Sequence, residues 1–244
     1  MLLNFMGTGS GFSNEHNNAY FWVYDGIVFL DLSILNMSKA IQLAKEMENV
    51  YLLLTHMHDD HAGGMGLFAQ YLYYSMGGKE LQVLVPPELY DDVIQEMRIK
   101  DVDPHIYKVF KIPYGMDGKI QLNENHPCHG WLQSVIPTFH TPGLTGKSFG
   151  YRFWINGNSI VYSGDTCRLK DFYDGQALSQ LNDVAEFYVD CSLHYGKVHL
   201  KWDEVKDELK DIANAICDVY LMHLDDREGF EKMDLGKIKL AKSR

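Results

Sequence analysis

Thr55-His56-Met57-His58-Asp59-Asp60-His61 follows directly on the apolar run Val50-Tyr51-Leu52-Leu53-Leu54. The run reads as a buried strand. It ends in three histidines and two aspartates within six residues. Polar groups of that density are poor packing material, because each needs a partner once water is removed. They are good cation ligands: neutral imidazole and carboxylate oxygen are what Zn2+ and similar metals take. His56 and His58 are two apart, so in an extended backbone both point the same way and can reach one cation. Asp60 and His61 begin the turn into the next helix and could face a second one.

Outward from this cluster the chain reads as alternating strands and helices. Leu2 to Phe5 is a short strand, followed by the turn Gly7-Thr8-Gly9-Ser10-Gly11. Ala19 to Tyr24 and Ile27 to Leu32, around Asp25-Gly26, read as a hairpin. Ser33 to Met47 reads as a helix, and another spans Met65 to Ser75 after Gly63-Gly64. Gln82 to Val85 is a strand stopped by Pro86-Pro87, and Glu88 to Ile99 is helical in pattern. Residues 104–135 are less regular. Leu132 to Thr138 leads to His140. Phe149 to Ile155 and Ser159 to Ser163 form a second hairpin around Asn156-Gly157. Phe187 to Val189 and Val219 to Leu221 are short buried strands, with a helix from Asp203 to Ile216 between them. Asp225 to Arg244 is rich in charge and reads as a solvated tail or edge helix. No fixed-period repeat or Pro/Gly/Ser-rich linker divides the chain, so the expectation is one domain over residues 1–244.

Composition narrows the function classes. The 244 residues are 46% hydrophobic, enough for one sizeable core. The net charge of -11, from 33 acidic and 22 basic residues, disfavours gripping a long phosphate backbone, which relies on Lys and Arg. A small anionic substrate remains compatible, since metal ions dominate the local field of a pocket. The four cysteines, Cys128, Cys167, Cys191 and Cys217, are widely spaced with no C-x-x-C pair. That speaks against a zinc knuckle or a disulfide framework, and a reducing cytoplasm is the expected location. Neither a signal peptide nor a membrane span is evident.

His56-x-His58-x-Asp60-His61 resembles the H-x-H-x-D-H signature of the metallo-β-lactamase superfamily. The partners of that signature follow in order: His140 in Phe139-His140-Thr141-Pro142, Asp165 in Ser163-Gly164-Asp165-Thr166, and His223 in Tyr220-Leu221-Met222-His223-Leu224. The resemblance implies an α/β fold, a four-layer αβ/βα sandwich with two mixed sheets flanked by helices. It implies that His56, His58 and His140 hold one metal, that Asp60, His61 and His223 hold another, and that Asp165 bridges them. Zn2+ is the expected metal, and Mn2+ and Fe suit the same donors. Two such ions, roughly 3.5–4 Å apart, can share an attacking hydroxide, which Asp60 could orient.

Three further stretches resemble the branch containing transfer-RNA 3′-end nucleases and small phosphodiesterases. They are Gly7 to Gly11, Ser148-Phe149-Gly150-Tyr151-Arg152, and Val189-Asp190-Cys191-Ser192 with His199. The branch implies that His199 assists the leaving oxygen and that Asp190 orients it. His194 is the rival for that role, and a surface histidine before a helix is the plainer reading of His199. The transfer-RNA nucleases carry a long substrate arm after the third metal histidine. Here residues 141–164 leave 24 positions, most of them in a hairpin. The expectation is therefore a metal-dependent phosphodiesterase acting on a small or cyclic phosphate ester. Hydrolysis of a carboxylic ester, lactone or thioester on the same centre is the alternative. A non-catalytic metal-binding sensor is the alternative of another class. A homodimer is expected from the branch, and no long nucleic acid or membrane partner. His16 reads as a solvated loop residue that could line the pocket mouth. Gly7, Gly9 and Gly11 are read either as a tight turn or as a backbone approach to substrate. Lys147, Arg152 and Lys197 read as surface charge, and Tyr71, Tyr73 and Tyr74 as helix packing.

Overall fold

The computed structural model describes residues 1–172 and 181–243. Two six-stranded sheets form the interior. The first runs in the order β1 (Asn4–Gly7), β2 (Asn18–Val23), β3 (Gly26–Leu30), β4 (Asn49–Leu53), β5 (Leu81–Val85), β6 (Tyr107–Lys111). Its first three strands pair antiparallel and the rest parallel. The second repeats the plan with β7 (Leu132–Pro137), β8 (Phe149–Ile155), β9 (Asn158–Tyr162), β10 (Val184–Asp190), β11 (Asp218–Met222) and β12 (Lys239–Leu240). There β7, β8 and β9 pair antiparallel, and β9 to β12 parallel. Each half therefore opens as a meander and turns into βαβ crossovers, whose helices must lie on the outer face.

The sheets meet through the alternation of their strands. The ring of Phe21 in β2 packs at a tilt 5.2 Å from Phe153 of β8, and that of Phe5 in β1 5.5 Å from Tyr188 of β10. Tyr188, Tyr220 and Met222 point inward to this shared core, while their neighbours Phe187, Val189, Val219 and Leu221 point outward. The outward set packs under helix α5 (Trp202–Ala215) through Trp202, Val205, Leu209 and Ile212. On the first sheet, α1 (Met37–Ala44) packs on β3, α3 (Met65–Ser75) on β5, and α4 (Tyr90–Ile99) on β6. Short α2 (Asp59–Ala62) follows β4. The layers are thus helix, sheet, sheet, helix, which is the four-layer sandwich expected.

Two expectations needed correction. The segment from Asp225 does hold a helix, α6 (Arg227–Glu231), but it is no solvated tail: it adds the edge strand β12 and buries Phe230, Ile238 and Ala241. Its charges sit between apolar residues too widely spaced to read as a strand. Arg244 lies outside the described residues. Tyr71, Tyr73 and Tyr74 do not pack inward. They are 38%, 36% and 68% exposed, because Met65, Phe68, Ala69 and Leu72 occupy the inner stripe of α3. All four cysteines are free thiols. Among the described residues, no helix is long and apolar enough to cross a membrane.

Candidate metal centre

In open sheets with parallel strands, function gathers at the carboxyl ends, where loops leave the sheet and crossovers reverse. That is where the polar residues of this chain collect. The loop after β4 delivers His56, His58, Asp60 and His61. His140 follows β7, Asp165 follows β9, Asp190 ends β10, and His223 follows β11. Seven donor residues from these loops form two groups: His56, His58 and His140, and then Asp60, His61, Asp165 and His223.

The atoms that face one another have ligand spacing. His56 Nε2 lies 3.0 Å from His58 Nδ1, which lies 3.3 Å from His140 Nε2. In the second group His61 Nε2 is 3.3 Å from Asp60 Oδ2 and 3.4 Å from Asp165 Oδ2. His223 Nε2 is 3.2 Å from Asp60 Oδ2 and 3.3 Å from Asp165 Oδ2. Four atoms arranged tetrahedrally about 2.0–2.1 Å from a cation stand roughly 3.3 Å apart. Asp165 Oδ2 is also 3.8 Å from His140 Nε2, so one oxygen addresses both groups. His61 Nε2 and Asp165 Oδ1 are buried with no hydrogen-bond partner, which is what atoms reserved for a metal show. The donor set fits two divalent cations.

Electrostatics favour the same reading. Burial lowers the pKa of His56, His58 and His140, so they stay neutral with free lone pairs. Burial also opposes charge on His61, but Asp165, Asp60 and Asp31 outweigh it and raise its pKa well above the usual histidine value. Burial pushes the Asp60 carboxyl up, and His61 and His223 more than offset it and hold it low. Three carboxylates around one imidazole make a site that calls for added positive charge.

Outer partners fix the donors. His61 Nδ1 donates to Asp31 Oδ2 at 2.7 Å, both side chains being fully buried. Asp31 also accepts from the backbone N–H and the hydroxyl of Thr55 at 2.7 and 2.8 Å. His140 Nδ1 donates to the Val198 carbonyl at 2.6 Å. Such contacts set ring orientation and raise ligand basicity. Asp31 and His223 both take left-handed backbone, φ 61° and 55°, which is costly for non-glycine residues and concentrates at functional sites. Gly11 leaves room for Asp60: a Cβ there would meet Asp60 Oδ2 at 2.7 Å, so the carboxylate would have to shift. Ser10 N–H donates to the Leu224 carbonyl at 3.0 Å, and Leu224 N–H to Thr8 at 2.8 Å. The glycine turn thus braces the His223 loop.

His199 joins the centre and His194 does not. His199 Nδ1 lies 2.8 Å from Asp190 Oδ2, and both belong to a third donor group with Asp165 and His223. Burial lowers the His199 pKa, and the Asp190 charge and hydrogen bond more than reverse this, raising it to about 9. His194 is exposed and pairs with Asp226 at 3.6 Å. A cavity of about 450 Å3 opens over the centre, lined by His58, Asp60, His140, Asp165, His199 and His223. His16 lines it as well, half-buried. Asp59 lies on its wall without joining either donor group. Lys147 pairs with Asp92, and Arg152 bonds Gln133 and Ser159 away from the cavity. Sequence reasoning missed Asp31, whose only signal was an acidic residue closing an apolar strand. It also missed the two rim aromatics, Phe12 and Tyr195.

The whole chain, residues 1–244, matches the family model of the anti-Pycsar protein Apyc1. The chain belongs to the Apyc1 family. An Apyc1 protein of Bacillus phage BSP38 is 24% identical over 257 residues, covering 98% of this chain and 94% of the relative. A hydroxyacylglutathione hydrolase of Shewanella oneidensis is 23% identical over 207 residues, covering 80% of this chain and 68% of its own length. Among solved structures, the Bacillus subtilis metallo-β-lactamase fold protein YhfI superposes with a TM-score of 0.70 at 16% identity, covering 99% of this chain and 96% of that one. Human tRNase Z, short form, gives 0.68 at 13% identity, with the same coverage. At these identities the likeness speaks to fold, and the fold is that of the metallo-β-lactamases. With an Apyc1-family chain, this fold and this donor set together, the protein is a metal-dependent hydrolase.

Proposed function

We propose that the protein is a binuclear metal-dependent phosphodiesterase acting on small or cyclic phosphate esters. His56 Nε2, His58 Nδ1 and His140 Nε2 would hold one cation, and Asp60 Oδ2, His61 Nε2 and His223 Nε2 the other, with Asp165 Oδ2 between them. Two such ions supply a nucleophile at neutral pH and neutralise charge on the phosphoryl oxygens.

The observation that carries the phosphate reading is the pair His199–Asp190 beside the donor cluster. An alkoxide leaving group is strongly basic and needs a proton as its bond to phosphorus breaks. His199, held cationic by Asp190, can give that proton from Nε2, the nitrogen Asp190 does not engage. A cationic His199 beside the donor cluster would also offset negative charge on the phosphoryl group. Small substrates follow from the shape of the site. The cavity, about 450 Å3, suits a small molecule. No Lys or Arg lines it among the described residues, and the β8–β9 hairpin with its turn, residues 149–162, takes most of residues 141–164, leaving no substrate arm. Zn2+ suits the His-rich first group best.

A thioester is the second reading, favoured by the hydroxyacylglutathione hydrolase match. A thiolate, with a thiol pKa of roughly 8.5, leaves without protonation and gives His199 no task. The two readings separate in one panel: metal-loaded protein with bis(p-nitrophenyl) phosphate, a lactone and a thioester. Diester turnover with inert acyl substrates is expected. The reverse pattern overturns the phosphodiesterase, and two bound metals with no turnover at all would revive the sensor.

A further inference from the structure

The loop between β10 and α5, residues 191–201, carries two groups on which the centre depends. The Val198 carbonyl accepts from Nδ1 of His140 at 2.6 Å, and the next residue is His199, whose Nδ1 lies 2.8 Å from Asp190 Oδ2. The rings of His140 and His199 stand 5.0 Å apart. Neither Val198 nor His199 lies in a helix or strand. A segment without ladder hydrogen bonds opens easily unless other contacts hold it.

Those contacts start at Asp225. Its Oδ1 accepts from the Leu193 N–H at 2.9 Å. Its Oδ2 accepts from the Ser192 hydroxyl at 2.7 Å and from the His194 N–H at 2.9 Å. Ser192 Oγ in turn accepts from the N–H groups of Tyr195 and His194 at 2.6 and 3.1 Å. The Tyr195 carbonyl then accepts from the N–H groups of His199 at 3.1 Å and Val198 at 3.4 Å. A continuous chain of bonds therefore runs from one carboxylate to the two residues at the centre. Hydrogen bonds to an ionised carboxylate are the strong kind, and linked bonds polarise one another. The backbone of Ser192 has separate support, donating to the Leu200 carbonyl at 2.8 Å and accepting from Trp202 N–H at 2.9 Å. What rests on Asp225 is the stretch from Leu193 to Tyr195 and the residues that hang from it.

Asp225 follows His223 by two residues, yet the three hydrogen bonds of its carboxylate all go to the loop. The His223 backbone is held elsewhere, since Leu224 is fixed to Thr8 and Ser10 of the glycine turn. Resting on the phosphodiesterase reading above for the task of His199, we infer that Asp225 is a positioning residue. Its clamp on Ser192, Leu193 and His194 sets the Val198 carbonyl behind His140 and places His199 as one unit. The orientation of a metal donor and the placing of the acid are thereby linked through one loop. Released at residues 193–195, the loop lets the His140 ring turn and His199 move away from the centre.

The test compares wild-type protein with Asp225→Ala, Asp225→Asn, Ser192→Ala and the double alanine variant. Asp225 is half-buried, so its alanine variant is expected to fold. Asp225→Asn is nearly isosteric, keeps one acceptor oxygen, and carries the test if the alanine protein does not fold. In stepwise Zn2+ titration by calorimetry, Asp225→Ala should weaken binding at the His56, His58 and His140 group about ten-fold, as outer partners of metal ligands do. The Asp60, His61 and His223 group should bind as in wild type, and Asp225→Asn should fall between the two proteins. The His140 Nδ1 proton, followed by nitrogen-edited NMR, should exchange with water faster in both Asp225 variants. At saturating metal, kcat for a phosphodiester should drop about ten-fold with KM little changed, because Asp225 touches no substrate. The two alanine substitutions should not add, since they break one chain of bonds. Weakening at the second group would mean that Asp225 acts through His223, and would overturn the clamp. So would a lowered Tm with wild-type affinity, exchange and kcat, which is what a purely structural residue gives. If diesters are inert but the first group and the His140 proton respond, the phosphodiesterase reading fails and the clamp stands. If every variant cleaves diesters and binds metal as wild type does, the clamp fails and the phosphodiesterase stands.

Discussion

Asp190 holds His199 at 2.8 Å through Oδ2, while its Oδ1 stands 3.6 Å from Nδ1 of His223. One fully buried carboxylate at the end of β10 therefore links a histidine of the metal cluster to the histidine assigned to the leaving group. The backbone N–H of Thr166 donates to the same Oδ2 at 3.0 Å, which also fixes the loop carrying Asp165.

Replacing His199 by Ala should lower kcat for phosphodiesters about 10²–10⁴-fold, the usual worth of a positioned acid. Both metals should be retained, as His199 belongs to neither main donor group. Metal analysis beside steady-state kinetics checks this. Unchanged turnover would remove His199 from the mechanism.

The pH profile of kcat gives a separate check on Asp190. His199 is the active acid when protonated, so activity is present below its pKa and declines as pH rises through it. Without cations that pKa is raised to about 9. Positive ions close by disfavour the imidazolium, so in the loaded protein the alkaline limb should lie at or below that pH. Asp190→Asn withdraws the carboxylate and should move the limb toward acid. An unmoved limb would mean that another group titrates there.

Asp31 should act through His61. With Asp31→Asn, the charged hydrogen bond to His61 Nδ1 is lost, and affinity for the second cation should fall about 10–100-fold. The His56, His58 and His140 group should bind as before. Stepwise metal titration by calorimetry separates the two sites, and equal weakening of both would contradict their independence.

Gly11→Ala tests the close approach of the glycine turn to the centre. The added Cβ would sit 2.7 Å from Asp60 Oδ2, so the carboxylate must shift. The expected result is weaker binding of the second cation with the fold intact by circular dichroism. Full affinity for both ions would show that the turn can yield.

His56, His58, Asp60 and His61 are legible as a ligand-dense loop closing an apolar run, whereas His140, Asp165 and His223 are marked by the resemblance to the metallo-β-lactamase signature, and the two hairpins are announced by Asp25-Gly26 and Asn156-Gly157. Asp31 was not legible: its role depends on β3 lying beside β4, a pairing no local pattern encodes. Phe12 and Tyr195 are far apart in sequence and meet only because two loops converge. The strand at Lys239–Leu240 is too short to show an alternation, and it is specified by parallel pairing with β11.

Removing the metals should also destabilise the fold, since ligands that bind only the native state add to its stability. Each ion at about a hundred times its Kd contributes roughly 2.7 kcal/mol. For a chain of this size that is about 5–10 °C in Tm. Calorimetric scans with and without chelator would show it, and an unchanged Tm would mean that the donor cluster binds no metal tightly.

The most direct measurement is to titrate Zn2+ or Mn2+ into metal-stripped protein while following hydrolysis of a phosphodiester. Activity rising to saturation at two ions per chain is the predicted result. Saturation at one ion, or full occupancy of two sites with no diester cleaved, would contradict the binuclear phosphodiesterase.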